Sequence, residues 1–348
     1  MQKKILVFNV GSSSIKYSLF QNLDRIDFGM VERLKTKEDY SKAIKNIFKK
    51  YENKKIDILA HRVVHGGEIN KPSKINKEVE RKIKEFSEFA PLHNPKQLMV
   101  IEICKKFQKP QYAVFDTAFF SDIPEVAKTY AIPKEITKKY NIRRYGFHGL
   151  SHEYVSKGLK GKTIICHLGS GVSISAIENG KAIDTSMGLT PLEGTIMGTR
   201  SGSIDPGIIF FLQKKGYNAE DVLTNQSGLK GICNHNDFRD IRSNMSKNKD
   251  CKLAYEMFIY STIKIIGSYI AVLNGLNNLI FTAAIGENVP KLRRDICNNL
   301  KYLGLNLDES KNEKNAEVIS SNSSKVKVFV KKTDEERMIA EEVMKVLK

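Results

Sequence analysis

The chain has 348 residues, 41% of them hydrophobic, enough for two ordinary domains of soluble globular type. Its 57 Lys and Arg against 39 Asp and Glu give a net charge of +18, yet the lysines fall in scattered clusters such as Lys45, Lys49, Lys50, Lys54 and Lys55. No basic stripe is interleaved with aromatics, so a nucleic-acid role is set aside and the charge is read as solvated faces able to steer anionic substrates. The five cysteines include no C-x-x-C pair, which excludes a disulfide framework or a zinc site and fits reduced thiols in a cytoplasmic chain.

Residues 5–8 read as a buried strand, too short for a secretory signal, that runs into a polar Gly-Ser turn at 9–14. A second strand, 15–20, alternates Lys16 and Ser18 with apolar neighbours. The apolar run 56–60 leads into His61-Arg62-Val63-Val64-His65-Gly66-Gly67-Glu68. Alternation puts Arg62 and Val64 on one face. An arginine at a strand end before two glycines is either poised over a cleft or held in a surface ion pair. Asn94 and Pro95 open a helix as cap and first-turn residue, with Leu98, Ile101 and Cys104 on its apolar face. Residues 113–117 form a buried strand ending in Asp116, a common active-site position in open α/β sheets. Residues 143–149 gather two cations, two aromatics and His148 between glycines.

A strand at 164–166 leads to His167-Leu168-Gly169-Ser170-Gly171, and an alternating strand, 173–177, reaches the hairpin signal Asn179-Gly180. Cys166 and His167 point to opposite faces of that strand, which argues against a catalytic Cys/His pair. The strand, Gly/Ser turn, strand unit therefore occurs twice. Two related halves follow, each offering a backbone cradle for phosphate. Residues 184–206 form a long Gly- and Thr-rich loop whose one arginine is Arg200, and such length points to function. Asp237 and Arg239 lie two apart. Residues 251–273 form a helix apolar on most sides, expected to be buried. The uncharged run 265–286 is interrupted by Asn274, Gly275, Asn277 and Asn278, so it reads as buried helix, turn and buried strand rather than a membrane span. Residues 281–288 leave a strand on a Gly turn suited to a base or ribose. An amphipathic helix, 334–347, ends the chain. Mixed strands and helices define an α/β protein.

Phosphoryl transfer needs positioned phosphates, a divalent metal and positive charge on the equatorial oxygens. No Walker A loop is present. The turn 9–16, the segment 61–68, Ala90-Pro91-Leu92-His93-Asn94-Pro95, and residues 114–119, 143–152, 184–206 and 281–288 together, in order, resemble the acetate kinases. The resemblance implies two duplicated actin/sugar-kinase-like (ribonuclease H-like) domains around a central cleft. The first would be 1–117 plus 334–348, and the second 118–333. It implies reversible, Mg²⁺-dependent phosphorylation of acetate by ATP, with Mn²⁺ as a substitute, giving acetyl phosphate and ADP in a cytoplasmic homodimer with no nucleic-acid or membrane partner.

By the same resemblance Asn9 and Glu335 help bind the metal, Arg62 and Arg200 hold acetyl phosphate, Asp116 orients Arg62, and His148 stabilises the transition state, with His93 supporting the pocket. Val64, Leu92, Phe147 and Pro191 shape the methyl pocket. Ser12, Lys16, His167, Gly169, Ser170, Gly171, Asp237, Phe238, Arg239, Ala284, Ile285, Gly286 and Asn288 line the nucleotide. Two departures fall on the nucleotide side: Ser170 stands where the family usually has Asn, and Ala284 where it usually has Gly. A third is length, since the family is usually nearer four hundred residues, and the shortfall falls between Arg33 and Tyr51, where only one helix fits. The alternatives are a propionate or other short-acid kinase, or a phosphoryl partner other than ATP. A partner-binding ATPase would share the phosphate turns but need neither arginine nor a methyl pocket.

Overall fold

The computed structural model describes residues 3–11 and 13–347. The chain gathers into two compact units, one of Met1–Ser121, Phe147–Tyr154 and Asp334–Lys348, the other of Asp122–Gly146 and Val155–Thr333. Residues 147–154 thus group with the first unit, not the second as expected. The reason is packing: Leu150 is buried in the same cluster as Ile5, Val7 and Val114 of the first sheet.

The first sheet contains β1 (Lys4–Val10), β2 (Ser14–Gln21), β3 (Asp24–Glu32), β4 (Ile58–Val63), β5 (Ser73–Lys74) and β6 (Gln111–Phe115), in the order β3-β2-β1-β4-β6-β5. β1 pairs antiparallel with β2 and parallel with β4, and β4 pairs parallel with β6. β1 is apolar on both faces because both are covered. Leu6, Phe8 and Val10 face a layer that includes Tyr40, Ile44 and Ile47 of the helix Lys37–Lys50. Ile5 and Val7 face Met338, Ile339 and Val343 of the final helix, Glu335–Val346. Each such buried side chain contributes about 1.5–3 kcal/mol. The Lys37–Lys50 helix starts on a capping box, with Thr36 and Asp39 bonding each other's backbone. It is the one helix expected across the shortened stretch. β3 was not expected from the sequence. It is an edge strand whose Ile26, Phe28 and Met30 are exposed.

The second unit repeats the plan with β7 (Lys162–Leu168), β8 (Val172–Glu178), β9 (Lys181–Thr185), β10 (Asn278–Thr282) and β11 (Lys327–Val330), in the order β11-β10-β7-β8-β9. β7-β8-β9 is an antiparallel meander, and β10 pairs parallel with both β7 and β11. In each sheet the Gly/Ser turn joins the central strand to its antiparallel neighbour, so the expected duplication is present at equivalent positions. Asn179 and Gly180 both take positive φ, +50° and +82°, as a two-residue hairpin of this twist requires.

The helix Lys249–Leu273 has the length and hydropathy of a membrane span, but it packs on β7 and β8 and on the helices Gly228–Cys233 and Phe238–Asn244. It is not buried all round as expected. Ala254, Phe258, Ile266 and Ile270 are buried, while Leu253, Tyr260 and Val272 are exposed.

Candidate active site

In the first unit the carboxyl ends of β1, β4 and β6 meet the start of the final helix in one polar cluster. Arg62, at the end of β4, is its hub. Its Nε donates to Asp116 Oδ1 at 3.0 Å and its Nη2 to Asp116 Oδ2 at 2.6 Å, a bidentate fork. Its Nη1 donates to Asn9 Oδ1 at 3.1 Å and lies 3.3 Å from Glu335 Oε2. The Asn9 amide donates to Glu335 Oε2 at 2.9 Å and to Glu336 Oε1 at 2.7 Å. Arg62 is thus clamped in a largely buried ion pair, 13% exposed against 1% for Asp116. Burial works against the charge on Arg62, but Asp116, Glu335 and Glu336 outweigh it and hold the guanidinium protonated. Burial likewise pushes the Asp116 carboxyl up, opposed by Arg62 and by the His148 N–H. Lys16 lies directly across the β1–β2 ladder from Asn9, so the two share one face.

Backbone geometry fixes this cluster. A Cβ on Gly149 would fall 1.9 Å from the Asp116 carbonyl oxygen, so only glycine lets this turn rest on Asp116. The preceding residue, His148, takes φ +58°, a strained conformation for a side-chain-bearing residue and one that recurs at functional sites. Two buried amides brace the segment after β4. Gln97 Oε1 accepts from the Val64 N–H at 2.9 Å, and Asn94 Oδ1 from the His65 N–H at 3.0 Å. Asn94 is thus not the helix cap. The helix Asn94–Cys104 has His93 at its N-cap, without a side-chain cap bond, because the Asn94 amide is committed to His65 and to the Ile83 carbonyl.

Phe147 is buried and meets the His65 ring edge-on at 5.6 Å, and His65 in turn stacks on Phe86 at 5.0 Å. Val64 is buried, whereas Leu92 is 42% exposed. Glu336, Gln97 and Asn94 were not among the residues expected to build the site.

In the second unit the loop after β9 folds on itself. The Met197 N–H donates to the Arg200 carbonyl at 3.1 Å, Ser203 N–H to the Gly194 carbonyl at 2.8 Å, and Leu229 N–H to the Met197 carbonyl at 2.9 Å. Gly228, at φ +64°, lets the chain pass so close that a Cβ would lie 2.2 Å from the Met197 oxygen and 2.6 Å from that of Arg200. Arg200 Nη1 donates to the Pro191 carbonyl at 3.0 Å, and no carboxylate pairs with Arg200 among the described residues. Burial pushes its pKa down. A half-buried cation of this kind is poised for an anion. Nearby, Arg144 pairs with Glu193 at 2.7 Å, and Tyr130 also donates to Glu193, so this second arginine of the cationic segment braces the loop.

The nucleotide-side residues divide. Gly169 N–H donates to the Gly171 carbonyl at 3.1 Å, forming the tight turn after β7, with Ser170 exposed at its tip and His167 buried behind it. Ala284, Ile285, Gly286 and Asn288 lie on the short helix Ala283–Asn288. There Ala283, not Ala284, carries the strained φ of +64°, and Ala284 is exposed. The fully buried Arg293 donates to the Gly286 and Glu287 carbonyls at 2.8 and 2.9 Å and holds that turn. Burial pushes Arg293 down to about 10. Asp237 pairs with Arg239 at 2.6 Å, which holds Asp237 at about 2. Phe238 lies at the start of the helix Phe238–Asn244. Its ring is buried against Tyr255 and Phe258, because the helix it opens turns that position into the core. Ser12 lies outside the described residues.

Two sheets of one strand order, each with a Gly turn after its central strand, define an α/β protein of two duplicated units. Residues 4–341 match the acetokinase family, and the chain belongs to that family. It is 44% identical to the acetate kinase of Clostridium acetobutylicum over 389 aligned residues, covering 97% of each chain. That alignment exceeds the 348 residues present, so the relative carries segments this chain lacks. Among solved structures, a propionate kinase from Francisella tularensis superposes with a TM-score of 0.91 at 39% identity, covering 98% of each chain. Porphyromonas gingivalis acetate kinase superposes at 0.90 with 37% identity, covering 99% of this chain and all of that one.

Proposed function

We propose that this protein catalyses the reversible transfer of the ATP γ-phosphoryl group to acetate, giving acetyl phosphate and ADP. The contrast between its two arginines carries the reading. Arg62 is locked by a carboxylate fork, while Arg200 is half-buried with no carboxylate of its own. Phosphoryl transfer rests on positioning and on positive charge at the equatorial oxygens, with little covalent chemistry for the protein. Arg62, held rigid by Asp116, would orient the acyl phosphate. Arg200 would neutralise the transferring group, and His148 would aid the transition state. Val64, Leu92, Phe147 and Pro191 would enclose the methyl group, with His93 in support.

A Mg²⁺ ion, or Mn²⁺ in its place, would be held near Asn9 and Glu335 and would offset the phosphate charge. Asn9 and Glu335 offer the hard oxygen donors it prefers, and Glu336 shares the Asn9 amide with Glu335. No three-residue His, Cys, Asp or Glu metal cluster occurs among the described residues. Mg²⁺ commonly keeps several waters and takes few protein carboxylates, which suits so small a donor set. Lys16, the turn 169–171 with His167, the helix Ala283–Asn288 and the Asp237–Arg239 pair would border the nucleotide. We place the protein in the cytoplasm as a homodimer acting on small molecules. The exposed Phe210, Phe211 and Tyr260 of the second unit support self-association.

The test is acetyl hydroxamate formation from acetate, ATP and Mg²⁺, beside an Arg200→Ala variant. Absence of product from the parent would sink the reading. The likeness to a propionate kinase favours a second acceptor. One methylene is worth only about 1–3 kcal/mol of discrimination, so relative kcat/KM on acetate and propionate decides between them. Ser170 and Ala284 make altered nucleotide use a part of this reading, with pyrophosphate as the alternative partner. Equal ATP affinity in the parent and in a Ser170→Asn, Ala284→Gly variant would count against that part.

A further inference from the structure

A cavity of about 510 Å³ opens in the first unit at the amino ends of β1, β4 and β6. This is the sheet edge opposite Arg62. Lys3, Lys4, Lys55 and Lys74 line it against a single carboxylate, Asp57. Asp57 is already engaged, since its Oδ2 accepts from the Lys4 backbone N–H at 2.8 Å. Some lysines of this unit hold carboxylates, Lys50 with Asp27 and Lys105 with Glu80 and Glu102. None of the four cavity lysines is ion-paired among the described residues. Four lysines lining one concavity with a single carboxylate make its surroundings cationic, which favours an anion there. The remaining wall is apolar, with Ile58 at 4% exposure and the Tyr112 ring beside it. The volume lies in the range of small-molecule sites.

We propose that this cavity is a second ligand site, taking a small molecule in which two or more phosphate groups are joined to a flat apolar moiety. The lysines would serve as point charges for the phosphates, and the Tyr112 wall would take the carbon skeleton. The site does not overlap the cluster around Arg62. Five residues of β1 separate Lys4 from Asn9, about 17 Å at strand rise. Twelve residues of the final helix separate Leu347 from Glu335, about 18 Å at helix rise. A ligand there would brace the far ends of the elements that carry Asn9, Arg62 and Glu335, and it would act without competing for the catalytic site.

The experiment is calorimetric titration of ADP into the full chain and into a Lys55→Glu/Lys74→Glu variant, with acyl-phosphate synthesis measured on both. Both lysines are exposed, so the variant keeps its fold. The expected result is two ADP sites in the parent and one in the variant, with the lost site weakened at least tenfold, weaker still at higher salt in the parent, and initial rates unchanged. A parent with one site that the variant abolishes would support the cavity while contradicting the phosphotransfer reading. Identical isotherms for the two proteins would overturn the proposal.

Discussion

Replacing Asp116 with Asn tests how the first unit holds its arginine. The substitution keeps shape and leaves the Arg62 Nε bond to Oδ1, at 3.0 Å, an acceptor. At the other oxygen an amide NH₂ would face Nη2 across what is now a 2.6 Å bond, donor against donor. The loss is one charge-assisted hydrogen bond, worth about 1.5–3 kcal/mol. Removing a partner from a buried pair usually costs about 3–5 kcal/mol, but Glu335 at 3.3 Å still offsets the guanidinium, so about 2–3 kcal/mol is expected. For a unit of this size that lowers the melting temperature by roughly 4–12 °C. Activity should fall by a comparable amount, because a displaced Arg62 misplaces the acyl phosphate, and such misplacement costs about 10²-fold, or about 2.7 kcal/mol. Urea unfolding and hydroxamate kinetics on parent and variant give both numbers. Full kcat/KM in a variant destabilised as expected would show that the Asp116 fork stabilises the unit without orienting Arg62 for catalysis.

Arg200→Ala should separate activity from stability. It gives up one neutral carbonyl contact, so stability moves by about 1 kcal/mol while kcat falls about 10²–10³-fold, and a variant with normal kcat would remove Arg200 from the reaction. Gly149→Ala drives a methyl into the Asp116 carbonyl and should cost more than about 2 kcal/mol together with activity; unchanged melting would contradict the described turn. His61 and His65 are buried and neutral, held down to about 4 and about 3 by burial. Below their ordinary value near 6.5 the unfolded chain takes up protons that the folded chain refuses, so stability falls as pH drops from about 6.5 toward 4. Each group contributes up to about 3 kcal/mol at the acid end. A His61→Gln variant should show a shallower acid limb in urea titrations, and an identical limb would rule His61 out as a source.

The strands and turns that carry local signals were readable in the sequence. β1 is a continuous apolar run and Asn179-Gly180 announces its hairpin. β3 was missed because its pattern is inverted for an edge: Ile26, Phe28 and Met30 face out, and Gly29 interrupts the run where the Tyr17 ring crosses it. The burial of Phe238 was not legible, because a single aromatic beside Asp237 and Arg239 does not reveal which way its helix turns. The partners of the site residues were hidden by chain distance. Glu336 meets Asn9 across 327 positions, and Gln97 reaches the Val10 carbonyl across 87. Arg293 is a fully buried guanidinium satisfied mainly by carbonyls and amides, and no charge pattern in the sequence marks such a residue.

The closing of the first unit by the last helix has a consequence for synthesis. Ile5, Val7, Ile58 and Val114 emerge early from the ribosome, but Met338, Ile339 and Val343, which cover them, emerge last. At about 5–20 residues per second, the stretch between Ser121 and Asp334 takes roughly 10–40 s to translate. For most of that interval this face of the first sheet is covered only in part, by Leu150 and Tyr154. Nascent protein should therefore engage holding chaperones through this sheet, and a chain stalled before Asp334 would lose both the apolar lid and Glu335.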